Sequence, residues 1–142
     1  MIYSSPMRRR LSTFLRLDPT LFVAAFALWA ALSGLSILAS QDIMQRAVAY
    51  TWLRELPIHE NYMGTLIVVD SVLMFLACSH KALLFRLPVA ILSGVFWFFW
   101  GGGQIVGAAM AGIMSGNGVW NALCGIGLVV SAVQWINREI MG

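Results

Sequence analysis

Asp70 is the residue with the greatest chemical consequence, because it interrupts the apolar run from Tyr62 to Ser79 near its centre. A carboxylate at mid-bilayer costs about 2.5–3.5 kcal/mol on insertion scales unless it is paired, protonated or facing water. Two readings follow. Asp70 relays a proton or cation inside a helical bundle, with Gln104 and Lys81 as neighbours, or it is a hydrogen-bonded acid that locks helices together or touches another subunit. A proton path uses several ionisable groups in series, and the sequence puts only Asp70 at depth, which favours the structural reading.

Other reactive side chains form no constellation. His59 and His80 bracket the same run from opposite sides. Cys78 and Cys124 fall near opposite ends of two different runs, so bilayer depth separates them by far more than the roughly 7 Å between Cα atoms that a disulfide tolerates. Nowhere do Cys, His, Asp and Glu occur with metal-ligand spacing. Ser-His-acid sets, HExxH and Walker-type loops are missing, and Gly101-Gly102-Gly103 lacks the strand–helix context of a phosphate loop. The expectation is a protein without enzymatic activity, cofactor, metal or small-molecule substrate.

The elements that position these residues follow from composition. Of 142 residues, 60% are hydrophobic and 11% charged, against roughly 45–50% and 25% in soluble domains. Nine bases and six acids cannot cover a soluble domain of this size, so much of the exterior must face lipid, and one compact bundle over residues 1–142 is expected. The net charge of +3 comes mainly from Arg8, Arg9, Arg10 and Arg16, ahead of the first apolar run. They read as a membrane-orienting flank, with neither the aromatic platform nor the recognition helix of a specific nucleic-acid binder.

The pattern predicts an all-α integral membrane protein with four transmembrane helices, at 20–40, 61–79, 87–111 and 119–137, and an amphipathic interfacial helix between the first and second. Asp18–Pro19 opens the first span as N-cap and first-turn proline. Its length of about 21 residues, roughly 31 Å, matches a hydrocarbon core and exceeds the 7–15 apolar residues of a signal peptide. Ala39–Ser40 is a weak cleavage site, so the segment is expected to be retained. Over 42–57, Asp42, Gln45, Arg46, Arg54 and Glu55 interleave with Ile43, Met44, Tyr50, Trp52 and Leu53, predicting an exported amphipathic segment stopped by Pro57. Tyr50 and Trp52 are its interfacial anchors; an ordinary loop packed on the bundle is the alternative.

Orientation follows from the bases. Arg8, Arg9, Arg10, Arg16, Lys81, Arg86 and Arg138 fall on one side of the four spans, and only Arg46 and Arg54 on the other. The richer side is expected to be cytoplasmic, which puts both termini there. Within the third span, Gly103-x-x-x-Gly107-x-x-x-Ala111, with Gly112 on a neighbouring face, is a small-residue stripe for close helix approach. Its partner is the fourth span near Asn121 and Gly125, or a second protein. The aromatic block Phe96 to Trp100 is either lipid-facing bulk or a plug against neighbouring helices. Trp120 and Trp135, near opposite ends of the last span, are candidate interfacial anchors.

The order Tyr50-Thr51-Trp52-Leu53, Pro57-Ile58-His59-Glu60-Asn61-Tyr62-Met63-Gly64, the Lys81 to Arg86 turn, Val95-Phe96-Trp97-Phe98 and Ala132-Val133-Gln134-Trp135 resembles small four-span membrane proteins of unassigned function encoded by tailed bacteriophages. The resemblance covers residues 45–142, about two thirds of the chain, while Asp70 and Gly101 to Gly103 fall outside its pattern. It implies a viral origin and a bacterial inner-membrane or virion-linked location, and carries over no catalytic residue.

The function expected is a structural or accessory membrane subunit, its partners the bilayer and other membrane-protein subunits in an envelope, virion or DNA-delivery assembly. Competing readings are a holin-like oligomeric pore, a superinfection-exclusion protein, and a proton or ion channel subunit that uses Asp70. Against the holin reading, the chain has no strongly charged C-terminal tail after Arg138.

Overall fold

The computed structural model describes residues 18–40, 47, 50 and 60–141. These form four helices: α1 (Pro19–Ala39), α2 (Glu60–Ser79), α3 (Leu83–Met110) and α4 (Gly116–Met141). Each is long and apolar enough to cross a membrane, and the described residues include no strand. Except for Ala47 and Tyr50, the expected amphipathic segment over 42–57 lies outside the described residues, as do Trp52 and the four arginines Arg8, Arg9, Arg10 and Arg16.

Local signals set the helix ends. The Asp18 carboxylate accepts the Thr20 N–H at 3.1 Å, with Pro19 in the first turn, so α1 starts where that pair predicts. At the end of α3, Gly112 adopts φ +73°, its N–H donates to the Ala109 carbonyl, and the Ile113 N–H reaches back to Ala108. This is a Schellman stop. Ser115 then accepts the Gly118 N–H on its hydroxyl and opens α4. Helices α3 and α4 have 28 and 26 residues, rising about 42 and 39 Å, so they outrun a hydrocarbon core of about 30 Å at their ends or by tilting. Helix α3 begins four residues before the expected 87–111, and α4 begins three residues before and ends four residues after the expected 119–137, because charged residues such as Arg86 and Arg138 continue a helix beyond its apolar run.

Neighbouring helices run antiparallel, in the cyclic order α1, α2, α3, α4, with the tightest packing between α1 and α2 and between α3 and α4. Glycines make both tight contacts. A Cβ on Gly34 would lie 2.9 Å from the Gly64 carbonyl, and one on Gly101 would lie 2.4 Å from both the Gly118 carbonyl and the Ala122 nitrogen. Gly94 meets Gly125 in the same way, so α3 and α4 touch backbone to backbone at two levels seven residues apart on each helix. Seven-residue spacing of contacts is the signature of left-handed, coiled-coil-like packing.

This corrects the expected stripe at its end: Gly107 is buried and Gly103 half-buried, but Ala111 and Gly112 are exposed in the turn that ends α3, and the described backbone contacts with α4 are made by Gly94 and Gly101. Gly112 answers to the backbone of the helix stop, not to a neighbouring helix. The aromatic block divides: Trp97 and Trp100 point inward, while Phe98 and Phe99 face out. Around the exterior, Leu28, Leu32, Leu66, Leu73, Leu92 and Leu123 present the apolar surface that a bilayer accepts.

The contrast between two adjacent glycines is testable. Gly101→Ala drives a methyl into fixed backbone and should lower stability by about 1–3 kcal/mol. Gly102→Ala, with nothing within 4 Å of the new atom, should be neutral or stabilising by about 0.5–1 kcal/mol from helix propensity. Denaturant-induced unfolding of both variants in detergent micelles checks the pair.

Candidate functional site

Halfway along α2, Asp70 lies on the α3 side of an inward stripe made by Met63, Ile67, Met74 and Ala77. Ser93 and Trp97 stand one turn apart on α3, so both point at the same place on α2. The Ser93 hydroxyl donates to Asp70 Oδ1 at 2.5 Å and the Trp97 indole N–H to Oδ2 at 2.8 Å. Both donors are buried, and Phe26 of α1 meets the Trp97 ring edge-to-face at 5.0 Å. One carboxylate thereby ties α2 to α3, and through the indole to α1.

Gln104 is not its neighbour. It lies seven residues beyond Trp97, about 10 Å further along α3, and belongs to a second network. The Trp29 indole donates to Asn121 Oδ1 at 3.2 Å, the Asn121 amide to Gln104 Oε1 at 3.0 Å, and the Gln104 amide to the Tyr50 hydroxyl at 3.0 Å. All three bonds run in one direction and join α1, α4, α3 and the connection between α1 and α2. Tyr50 also lays its ring against Trp100, with centroids 5.5 Å apart. Tyr50 therefore turns into the bundle rather than outward to lipid headgroups, because Gln104 offers its hydroxyl a donor there. Burial raises the Tyr50 phenol above its ordinary 10.0, and the bond from Gln104 offsets part of that rise.

A third cluster closes the end where α1 begins and α4 finishes. The Arg86 guanidinium donates to the carbonyls of Ala77 and Cys78 in the last turn of α2 and of His80 just beyond it, and lies 5.1 Å from the centre of the Trp135 ring. It supplies the donors that a helix C-terminus lacks and the positive charge that its dipole favours. Trp135 is buried there and donates to the Thr20 hydroxyl at 3.2 Å, which corrects its expected role as an outward-facing anchor. Arg138 meets Asp18 at 3.3 Å on the exposed rim, a pair worth little in water. Lys81 is exposed in the turn between α2 and α3, and Trp120 is exposed near the start of α4, as an interfacial anchor requires.

No family model, curated protein or solved structure matches this chain. Among the described residues, no three His, Cys, Asp or Glu side chains gather to hold a metal, and Cys78 and Cys124 are free thiols. What the arrangement does chemically is to hold helices together. The sequence singled out Asp70 and Gln104, and named Trp97 and Asn121 only as packing residues, but not the donors Ser93 and Trp29. The i, i+4 placement of Ser93 and Trp97 was a readable signal; the pairing of Trp29 with Asn121, 92 positions apart, was not.

A double-mutant cycle over Asp70→Asn and Ser93→Ala should give a coupling of about 0.6 kcal/mol, and no more than about 1.7, as for interhelical hydrogen bonds in membranes. For Tyr50, a raised folded-state value means that the neutral phenol is the form the fold favours. Its contribution is therefore complete below the unfolded value of 10.0 and is lost as pH rises through the higher folded value. Ultraviolet difference titration of wild type against Tyr50→Phe should show one phenol ionising above the ordinary value, with unfolding losing its pH dependence in that window in the variant.

Proposed function

We propose that this chain is a structural or accessory subunit of a membrane assembly, without enzymatic activity, packing its apolar exterior against partner helices. The observation that carries this reading is how the polar groups at depth are used. Asp70, Gln104 and Asn121 each bond to side chains of other helices, and the space between the helices is filled by Trp97, Ile67, Met74 and Leu128. A bundle knitted in this way holds its shape, whereas a conducting path needs a continuous wet lane lined by several ionisable groups in series. The exterior adds an apolar groove of about 240 Å³ between Gly94, Phe98, Gly125 and Val129, a surface that accommodates a side chain from a neighbouring helix.

Within this reading the chain is phage-encoded and resides in a bacterial inner membrane or a virion-linked assembly. The sequence resemblance supports the origin. The charge pattern supports the orientation: Lys81, Arg86 and Arg138 all belong to the end of the bundle that holds Asp18, which this reading assigns to the cytoplasm with both termini.

Extraction of tagged protein in a mild detergent or polymer, with mass determination and identification of what co-purifies, tests the proposal. The expected result is co-purification with virion or envelope proteins in a fixed ratio. A large homo-oligomer that dissipates the membrane potential on induction would overturn it in favour of a pore.

A further inference from the structure

Asp70 has acceptor capacity that the described residues do not use. A carboxylate offers about four lone-pair sites, and Ser93 and Trp97 fill one on each oxygen. Both are neutral donors, and among the described residues no base stands beside the carboxylate. The described bases Lys81, Arg86 and Arg138 all belong to the Asp18 end of the bundle, and Arg86 is fixed on the carbonyls of Ala77 and Cys78, about two helical turns from Asp70.

The surroundings leave the carboxylate reachable. Ser93 and Trp97 are buried, but Asp70 itself is only half-buried. It lies on the seam between α2 and α3, which pack more loosely than α1 with α2 or α3 with α4. Leu66 and Leu73, one turn to either side of Asp70 on α2, are exposed. The seam therefore presents an acid at mid-membrane depth framed by leucines.

We propose that the α2–α3 seam docks a transmembrane helix of another protein, which places a Lys or Arg near the centre of its span against Asp70. Charge complementarity selects this occupant. An acid and a base at mid-bilayer are each costly alone and offset one another when paired, and the two donors from α3 fix the carboxylate in position before the partner arrives. A second copy of this chain does not meet the requirement from its described residues, whose bases all sit at one end of the bundle. The inference rests on the subunit reading above and names the chemistry of the partner.

The test is photo-crosslinking in the cells that make the protein, with a photoreactive residue at Leu66 or Leu73 and controls at Leu32 on α1 and Leu123 on α4. The expected result is an adduct at Leu66 and Leu73 with a protein whose captured apolar span contains a Lys or Arg. Asp70→Asn should reduce that adduct by about thirtyfold or more, as for loss of one member of a buried charge pair, and Asp70→Glu should restore part of it. A captured span without a base, or a yield unchanged in Asp70→Asn, overturns the proposal. Adducts only at Leu32 or Leu123 would overturn it while leaving the subunit reading intact; no adduct anywhere, with nothing co-purifying, would remove both. If Asp70→Asn fails to fold, the residues of the span captured by the unsubstituted carboxylate decide the question.

Discussion

The constraint on which everything else depends is that the interior of a bilayer offers no water to a polar group. Each donor or acceptor carried to depth must find a partner in protein or remain at a cost of several kcal/mol. The chain meets this first with its backbone, by spanning as helices, and then with side chains. Asp70 takes donors from α3, and Gln104 and Asn121 satisfy each other, with Trp29 and Tyr50 at the two ends of their line. Because the alternative partners are hydrocarbon, these bonds select one arrangement of four helices even where each adds little net energy.

Helix association in lipid has no hydrophobic driving force, so close contact must come from shape. Here the chain divides the task between two hairpins. Gly34 and Gly64 bring α1 onto α2, and the pairs Gly94–Gly125 and Gly101–Gly118 bring α3 onto α4. Glycine backbone contact is short-ranged and apolar, and it works within each hairpin. The polar networks work mainly between the hairpins: Asp70 joins α2 to α3, and Trp29 joins α1 to Asn121 of α4. The looser inter-hairpin seams thus carry the bonds of Asp70 and Trp29, while Asn121 and Gln104 bond within the second hairpin, and the seam between α2 and α3 is where a carboxylate remains accessible.

The two ends of the bundle are built differently. At the Asp18 end, Arg86 gathers the last carbonyls of α2 and stacks on Trp135, while Trp135 bonds Thr20, so one cation and one indole tie all four helix termini together. At the other end the described residues carry no base, and Tyr50 reaches in to Gln104. An arginine counted only as an orienting charge is therefore also a helix cap, and the two roles agree, since both require its charge at the end of α2 on the side that bears the bases.

Length and apolarity alone determined that the chain forms four membrane-crossing helices, because a bilayer of fixed thickness leaves a hydrophobic segment of about 20 residues few alternatives. The start of α1 was equally legible in Asp18–Pro19, where the capping signal is contained in adjacent residues. The depth of Asp70 was legible for the same reason, but its partners were not, since which face of α3 turns toward α2 is set by the crossing of all four helices. Spacing misled at the end of the glycine stripe, where Ala111 and Gly112 are exposed, and the described contacts between α3 and α4 follow the seven-residue intervals from Gly94 to Gly101 and from Gly118 to Gly125. Tyr50 and Trp135 were read as outward anchors because a sequence gives their depth in the membrane but not their rotation about the bundle. Only the tertiary structure decides rotation, because it depends on which distant residue, Gln104 for one and Thr20 and Arg86 for the other, offers the polar atom of the ring a partner.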